Sequence, residues 1–399
     1  MKEIRPGRFL RFAGVALLAL GFAANAAAQG HVHPHGSAKP AKPELGTSAA
    51  FAPDGSLYAV SKGGQHVLLY RSTDEGATWS EPATVNAAPE AISADGDNRP
   101  KLAFARDGGV LVSWTRPLAK PYTGEIRFAR SDDGRQFGEP TTVHRDRREI
   151  THRFETLAVT GSGQVLVAWI DKRDLETAQA DEREYRGAAV YAALSDDGGR
   201  TFRPEVKVAD HSCECCRIAI ANDTDGLPLV LWRHVFEPNE RDHALAKIGP
   251  DGAAGEVTRA TFDRWRIDAC PHHGPSLAVA PEGTRHAVWF NEKDGEARVF
   301  YGRLAGGRVE GQRAIGGDRA AHADIGASGS RIAIVWKEFD GERTRLRGEL
   351  SDDGGRHFRA IELASTAGAS DQPRVLRRGD ELFAFWRTGM EGMKGYELK

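Results

Sequence analysis

The chain has 399 residues, with 54 Lys and Arg against 56 Asp and Glu and a formal net charge of -2. Because this balance leaves no electrostatic footprint for nucleic acid or an anionic membrane surface, we expect neither partner. The 45 glycines and only 3 methionines favour many short strands joined by turns over a helical protein.

Residues 1–28 have the pattern of a cleaved signal peptide. The basic residues that precede its apolar run are Lys2, Arg5, Arg8 and Arg11. The apolar run, 12–24, is shorter than the roughly 20 residues that span a bilayer, and small residues follow it where signal peptidase cuts. An uncleaved membrane anchor is the alternative. We expect export, periplasmic or secreted, with no membrane span after cleavage.

Residues 29–45 form a linker by composition, rich in His, Pro and Lys. Its histidines are His31, His33 and His35. Three imidazoles at alternate positions can converge on copper, nickel or zinc. The alternative is a flexible tail without a specific site, because a terminus without fixed structure preorganises no ligands.

From residue 46 onward the chain repeats a short apolar run that ends in Trp. The six copies end at Trp114, Trp169, Trp232, Trp289, Trp336 and Trp386. Residues 57–60 fit the same slot without the Trp, and the units begin near residues 46, 97, 152, 213, 271, 322 and 371. Four short strands about every 50 residues are typical of a β-propeller. We therefore predict an all-β propeller of seven four-stranded blades over 46–399, with the segment before Gly46 supplying the last blade's fourth strand.

A second motif, Ser-x-Asp-x-Gly followed by an aromatic residue, recurs after the third strand of several units. Its four aspartates are Asp74, Asp133, Asp197 and Asp353. Asp can accept a hydrogen bond from the backbone two residues on, Gly supplies a positive φ, and the aromatic ring can fill the gap between sheets. The motif resembles the Asp box, or BNR repeat, of sialidase-like β-propellers, and the resemblance covers 46–399. Family sialidases have six blades, so six is the alternative to seven.

The resemblance does not place the functional site, because Asp boxes lie on outer turns away from the axial mouth where propellers bind ligands. Sialidases are similar in using three arginines to hold a carboxylate, a Tyr/Glu nucleophile pair and an Asp acid/base. The nearest counterparts here are Arg99, Arg153, Glu155, Arg217 and Arg374. Tyr396 is the only tyrosine late in the chain, and nothing in the sequence links it to Glu155. Arginines that merely bridge blades are the alternative.

The family pattern does not explain a cluster of cysteine and histidine at the start of three consecutive units. The residues predicted to bind metal are Cys213, Cys215, Cys216, Cys270, His272, His273 and His322. Adjacent blades would bring these segments together near the mouth. Soft thiolates favour Cu(I) or zinc, and imidazole binds both. The sequence therefore leaves copper and zinc open as cofactors.

Two other interpretations of the cysteines stand beside metal binding. An exported compartment oxidises thiols, and four cysteines allow two disulfides in three connectivities, including a bridge from Cys213 or Cys215 to Cys270. Redox-active thiols are the third interpretation. The leading hypothesis is a monomeric propeller that binds a metal, small molecule or glycan at its axial mouth. A sialidase-like hydrolase that holds an anionic sugar is the alternative, and the sequence does not decide whether the protein is an enzyme.

Overall fold

A computed structural model describes residues 44–269 and 271–399. The described chain folds into seven antiparallel sheets, each built from consecutive strands. The seven-bladed propeller predicted from the repeat is confirmed, and the six-bladed alternative is wrong. The signal peptide, most of the linker with its three histidines, and Cys270 lie outside the described residues.

The first blade comprises β1 (Thr47–Phe51), β2 (Leu57–Gly63), β3 (His66–Ser72) and β4 (Ala83–Thr84). The second comprises β5 (Lys101–Phe104), β6 (Val110–Pro117), β7 (Gly124–Ser131) and β8 (Thr141–Thr142). The third comprises β9 (His152–Val159), β10 (Val165–Asp171), β11 (Ala188–Ser195) and β12 (Val206–Ser212), with α1 (Arg173–Ala180) between β10 and β11. The fourth comprises β13 (Ala219–Asn222), β14 (Pro228–Arg233), β15 (His243–Lys247) and β16 (Thr258–Arg259).

The fifth blade comprises β17 (Ser276–Val279), β18 (Arg285–Lys293), β19 (Glu296–Leu304) and β20 (Val309–Ile315). The sixth comprises β21 (Ala320–Ser328), β22 (Arg331–Phe339), β23 (Thr344–Ser351) and β24 (Arg359–Thr366). The seventh comprises β25 (Arg374–Arg378), β26 (Glu381–Thr388) and β27 (Gly392–Glu397). Among the described residues, no helix has the length and apolar character needed to cross a membrane.

The first strands of the blades form the inner ring of the propeller. Each contacts the first strand of the next blade, and β25 also contacts β1, so the ring is closed. The seventh blade has three strands in the described part of the chain, and a turn of the first blade contacts its outer strand, β27. The segment before Gly46, which was predicted to supply a fourth strand, lies mostly outside the described residues. The amide of Gly395 donates to the Glu75 carbonyl oxygen at 3.1 Å, and Trp79 Nε1 donates to the Met393 carbonyl oxygen at 3.0 Å. Two outward backbone groups of β27 are thereby paired with the first blade.

The repeated tryptophans form the hydrophobic core between blades. All six lie on second strands and are at most 4% exposed. Their indole N–H groups need acceptors when buried. Trp114 donates to Glu90 Oε1 at 2.6 Å, and Trp289 donates to Asp263 Oδ2 at 2.7 Å. A buried tryptophan therefore recurs once in each of the second to seventh blades.

The Ser-x-Asp turns connect third strands to fourth strands. In the first copy, the Ser72 hydroxyl donates to Asp74 Oδ1 at 2.7 Å and accepts from the Gly76 amide at 2.8 Å. The same carboxylate accepts from the Thr78 amide, four residues on rather than the expected two. The aromatic residue that ends each motif packs on the preceding blade: the ring centroids are 6.3 Å apart for Trp79 and Phe385. These turns thus join neighbouring blades.

Candidate functional site

Two arginines meet at one carboxylate on the axis of the ring. Asp97, just before β5, accepts from Arg374 Nη2 at 2.8 Å and from Arg217 Nη1 at 3.4 Å. Asp324 lies 3.7 Å from Arg374 and 3.9 Å from Arg217. Burial opposes ionisation of Asp97, but Arg217 and Arg99 outweigh it and hold the pKa of Asp97 below its ordinary value. Both guanidiniums are therefore already engaged by acidic side chains.

Arg99, the third predicted arginine, joins this network from a fully buried position. Its guanidinium donates to Asp371 Oδ2 at 2.7 Å and to Gln372 Oε1 at 2.6 Å. Gln372 Oε1 also accepts from Arg374 at 3.4 Å. The two hydrogen bonds of Arg99 link the second blade to the seventh. Because the Arg99 side chain is 0% exposed, it bridges blades and cannot reach a ligand in this arrangement.

Glu155 is turned toward the axis by an irregularity in β9. Phe154 has a left-handed φ of 57°, and the pairing of β9 with β10 shifts register beside it. Such bulges re-aim side chains. Thr115 donates to Glu155 Oε2 at 2.7 Å, while Oε1 has no hydrogen-bond partner among the described residues. Burial raises the pKa of Glu155 and lowers that of the nearby Lys101 to about 8.

The remaining sialidase-like counterparts do not join the axial cluster. Arg153 lies 3.7 Å from the exposed Asp95 and packs over the rings of Phe154 and Tyr122. Tyr396 lies on β27 and packs with the core of the sixth and seventh blades. No tyrosine among the described residues forms a hydrogen bond with Glu155.

Three sulfur atoms converge in the loop between β12 and β13. Cys213 Sγ lies 3.6 Å from Cys216 Sγ and 3.9 Å from Cys215 Sγ, and all three sulfurs lie within 4.8 Å of one another. Their exposures are 0%, 2% and 7% for Cys213, Cys216 and Cys215. Since a disulfide bond is about 2.05 Å long, these three sulfurs are not bonded to one another.

Two arginines that the sequence did not single out face this thiol cluster. Arg241 Nη1 donates to Cys213 Sγ at 3.7 Å. The amide of Cys213 donates to the Arg233 carbonyl oxygen at 2.8 Å. The hydrogen bond with Cys213 and burial raise the pKa of the Cys216 thiol, and the Arg233 guanidinium opposes them. The only sequence signal for either arginine was that Arg233 directly follows a core tryptophan, Trp232.

The predicted imidazoles lie beside the thiol segment but not within the sulfur cluster. The rings of His273 and His322 stack with centroids 4.2 Å apart, and His272 is exposed. Among the described residues, only the three cysteines form a group whose donor atoms all lie within 4.8 Å. The three histidines thus lie outside the group of three sulfurs, and their part in a larger set of four thiols and three imidazoles stays a prediction.

The starts of the fourth and fifth blades are nonetheless in direct contact. Arg217 Nε donates to the Pro275 carbonyl oxygen at 2.9 Å. A Cβ at Gly274 would lie 2.6 Å from the Arg217 amide nitrogen, so only glycine allows this approach. Burial lowers the pKa of His273 to about 4 and that of His322 well below its ordinary value. Both imidazoles are therefore neutral at pH 7, as metal ligands must be.

No family model and no curated protein matches the chain. Solved structures share its fold at low identity. A polysaccharide lyase described as an ulvan lyase aligns with a TM-score of 0.56 and 12% identity over 88% of this chain and 91% of that chain. An α-L-arabinofuranosidase of Fusarium graminearum aligns with a TM-score of 0.52 and 13% identity over 79% and 96%. A protein of unknown function from Dyadobacter fermentans aligns with a TM-score of 0.53 and 12% identity over 79% and 95%.

Proposed function

We propose that the protein binds a soft metal ion, copper(I) or zinc, through Cys213, Cys215 and Cys216. The convergence of the three sulfurs carries this proposal. Two thiolates on one tetrahedral zinc, each at about 2.3 Å, are roughly 3.8 Å apart. The separations of 3.6 Å and 3.9 Å match that spacing. Copper(I) prefers the same soft ligands.

Burial of the sulfurs favours metal binding over a role as reactive thiols. A reactive cysteine needs access to its substrate, whereas Cys213 and Cys216 are almost completely enclosed. A structural disulfide needs one cysteine per segment, and three within four residues exceed that need. The part of Cys270, and of the neutral pair His273 and His322, as additional ligands stays a prediction.

The proposal is tested by metal titration of the reduced protein without oxygen. We expect about one Cu(I) or Zn(II) per chain, and loss of uptake in the variant Cys213→Ser/Cys215→Ser/Cys216→Ser. Glu214→Gln is the matched control, because Glu214 lies between the cysteines but pairs with Lys172. Retained uptake in the triple variant, or no uptake by the unaltered protein, would contradict the proposal.

Hydrolysis of a glycan whose anionic sugar is held at the axial cluster is a second candidate. It is favoured by the meeting of Arg217 and Arg374, and by a fold shared with proteins described as an ulvan lyase and an arabinofuranosidase. A sugar carboxylate would have to displace Asp97 from both guanidiniums. Hydrolysis of a fluorogenic sialoside that is lost in Arg374→Ala would support this candidate. An inert protein between pH 4 and pH 8 would reject it.

We also propose that the chain is an exported, monomeric Asp-box propeller whose leader ends near residue 28. The basic, apolar and small-residue order of the first 28 residues supports export. The hydrogen bonds of the Ser-x-Asp turns support the Asp-box assignment. Amino-terminal sequencing of the protein expressed in a bacterial host tests the cleavage point, and an intact leader on recovered protein would contradict it.

A further inference from the structure

A short hydrogen-bonded chain joins the second blade to the third beside the axis. The Phe154 amide on β9 donates to Asn98 Oδ1 at 3.1 Å, and Thr115 Oγ1 on β6 lies 2.9 Å from the same oxygen. Thr115 Oγ1 also lies 2.7 Å from Glu155 Oε2. The side chains of Asn98, Thr115 and Glu155 are buried, at most 1% exposed. We call this group of Asn98, Thr115, Phe154 and Glu155 the blade joint.

The Thr115 hydroxyl has one proton and two oxygen neighbours in the blade joint. Because the Phe154 amide donates to Asn98 Oδ1, the oxygen and not the nitrogen of the Asn98 amide faces Thr115. With Glu155 ionised, both neighbours would need the same hydroxyl proton, and one short O···O contact would have none. A proton on Glu155 Oε2 removes the conflict: Glu155 then donates to Thr115, reversing the hydrogen bond given above for a carboxylate, and Thr115 donates to Asn98.

The other oxygen of Glu155 and the nearest ammonium agree with a neutral acid. Glu155 Oε1 is buried and has no hydrogen-bond partner among the described residues, which would be costly for an ionised carboxylate. The Lys101 ammonium on β5 instead donates to the carbonyl oxygens of Asp97 at 2.9 Å and Arg99 at 2.7 Å. Burial raises the pKa of Glu155, in the same direction as the proton count.

The remaining charged groups on β9 and on the strands packed against it are engaged elsewhere. Arg153 on β9 lies 3.7 Å from the exposed Asp95. β13 carries no charged side chain. The charged residues of β6, β7 and β10 form ion pairs of their own: Arg116 with Glu125, Arg127 with Glu90, Arg130 with Asp107, and Asp171 with Arg173. In the described part of the chain, Glu155 forms no ion pair within 4.0 Å.

We propose that Glu155 carries its proton at neutral pH and that this proton locks the blade joint, which makes the joint a pH-sensitive switch beside the axial cluster. Asn98 stands between Asp97 and Arg99 in the chain, so the joint fixes the backbone that carries both axial side chains. When Glu155 loses its proton at alkaline pH, the Thr115 hydroxyl can bond only one of its two neighbours. The contact between the second and third blades then loosens. This switch is independent of the metal and glycan binding proposed above.

The first test compares urea unfolding of the unaltered protein and Glu155→Gln from about pH 5 to about pH 9. The glutamine amide can donate to Thr115 as the acid does, but it does not titrate. Unfolded glutamate ionises above about pH 4.3, whereas the folded acid keeps its proton. As the pH rises, the unaltered protein should therefore lose stability relative to Glu155→Gln, by up to about tenfold in the folding constant per pH unit.

Glu205→Gln is the matched control for the loss of a carboxylate. Arg173 holds Glu205 at 3.0 Å, and hydrogen bonds keep the pKa of Glu205 below its ordinary value despite partial burial. Glu205→Gln should therefore lower the stability by the same factor throughout this pH range. A pH-independent difference for Glu155→Gln as well would overturn the switch.

The second test reads the proton directly by infrared spectroscopy with isotope-labelled glutamate, which separates glutamate from aspartate. At neutral pH the unaltered protein should show the carbonyl band of a protonated glutamic acid, and the band should vanish at alkaline pH while exchange of the Phe154 amide accelerates beyond its intrinsic rate. The band should be missing from Glu155→Gln. Absence of the band from the unaltered protein at neutral pH would overturn the proposal, even if Glu155→Gln does not fold.

Discussion

The amide of Cys213 donates to the carbonyl oxygen of Arg233 at 2.8 Å, which fixes the thiol loop to the second strand of the fourth blade. That strand is held on both sides, because β14 pairs with β13 and β15. The sulfurs therefore converge on a scaffold that is already ordered, and metal binding does not have to order the loop. Preorganisation of this kind favours tight binding.

A bound metal should stabilise the folded protein through the same three sulfurs. At a free metal concentration 100 times the dissociation constant, the free energy of unfolding should rise by up to about 2.7 kcal/mol, the limit for a ligand that binds only the native state. We expect this rise in denaturant unfolding of the reduced protein. The triple Cys→Ser variant should show no rise, and an equal rise in that variant would place the metal elsewhere.

Loss of the axial carboxylate should destabilise the fold strongly. Asp97→Asn would leave Arg217 and Arg374 with Asp324 alone, and removing one partner of a buried charge network costs about 3–5 kcal/mol. Asp107→Asn is the control, since Asp107 pairs with Arg130 at an exposed site and should cost less than about 1 kcal/mol. Urea unfolding measures the free energy of unfolding of both variants. Similar losses in Asp97→Asn and Asp107→Asn would contradict the predicted cost of breaking the axial network.

Closure of the ring should depend on Trp79, whose side chain joins the first blade to the seventh. Trp79→Ala should lower the free energy of unfolding by about 3 kcal/mol. Hydrogen exchange should accelerate in β25, β26 and β27, which border the opened seam. Trp79→Phe keeps an aromatic side chain but removes the hydrogen bond to the Met393 carbonyl oxygen, so it should lower the free energy of unfolding by only about 1 kcal/mol. Uniform acceleration over all blades would contradict this account of closure.

Buried histidines should make the protein less stable as the pH falls from about 6.5 to about 4. Burial lowers the pKa of His286 to about 4, so the unfolded chain takes up a proton before the folded chain does. Stability therefore declines over this range, by up to about 1.4 kcal/mol per pH unit for each such histidine. His286→Gln removes one titrating group, and its stability difference from the unaltered protein should narrow as the pH falls. A constant difference would contradict the burial effect.

The number of blades was predictable because its signals are local. Six of the seven units bury an indole on the second strand, and four units carry the same Ser-x-Asp turn, so the sequence repeats the requirement. The predicted fourth strand of the last blade involves the segment before Gly46, most of which lies outside the described residues. The contact of Glu75 and Trp79 with β27 was not predictable, because it joins residues more than 300 positions apart.

The thiol cluster was predictable in part for the same reason. Three of its sulfurs lie within four residues of one loop. The stacking of His273 on His322 was not predictable, because the left-handed backbone that directs it is imposed by packing between blades. The hydrogen bonds of the Arg233 guanidinium to the carbonyl oxygens of His273 and Phe290 were equally hidden, since they join residues 40 or more positions apart.

The most direct test of the central claim is X-ray absorption spectroscopy at the metal edge of the copper(I)- or zinc-loaded protein. Metal binding by Cys213, Cys215 and Cys216 predicts a first coordination shell with three sulfur atoms at about 2.3 Å. A first shell of nitrogen and oxygen alone, at about 2.0–2.2 Å, would contradict the proposed metal site.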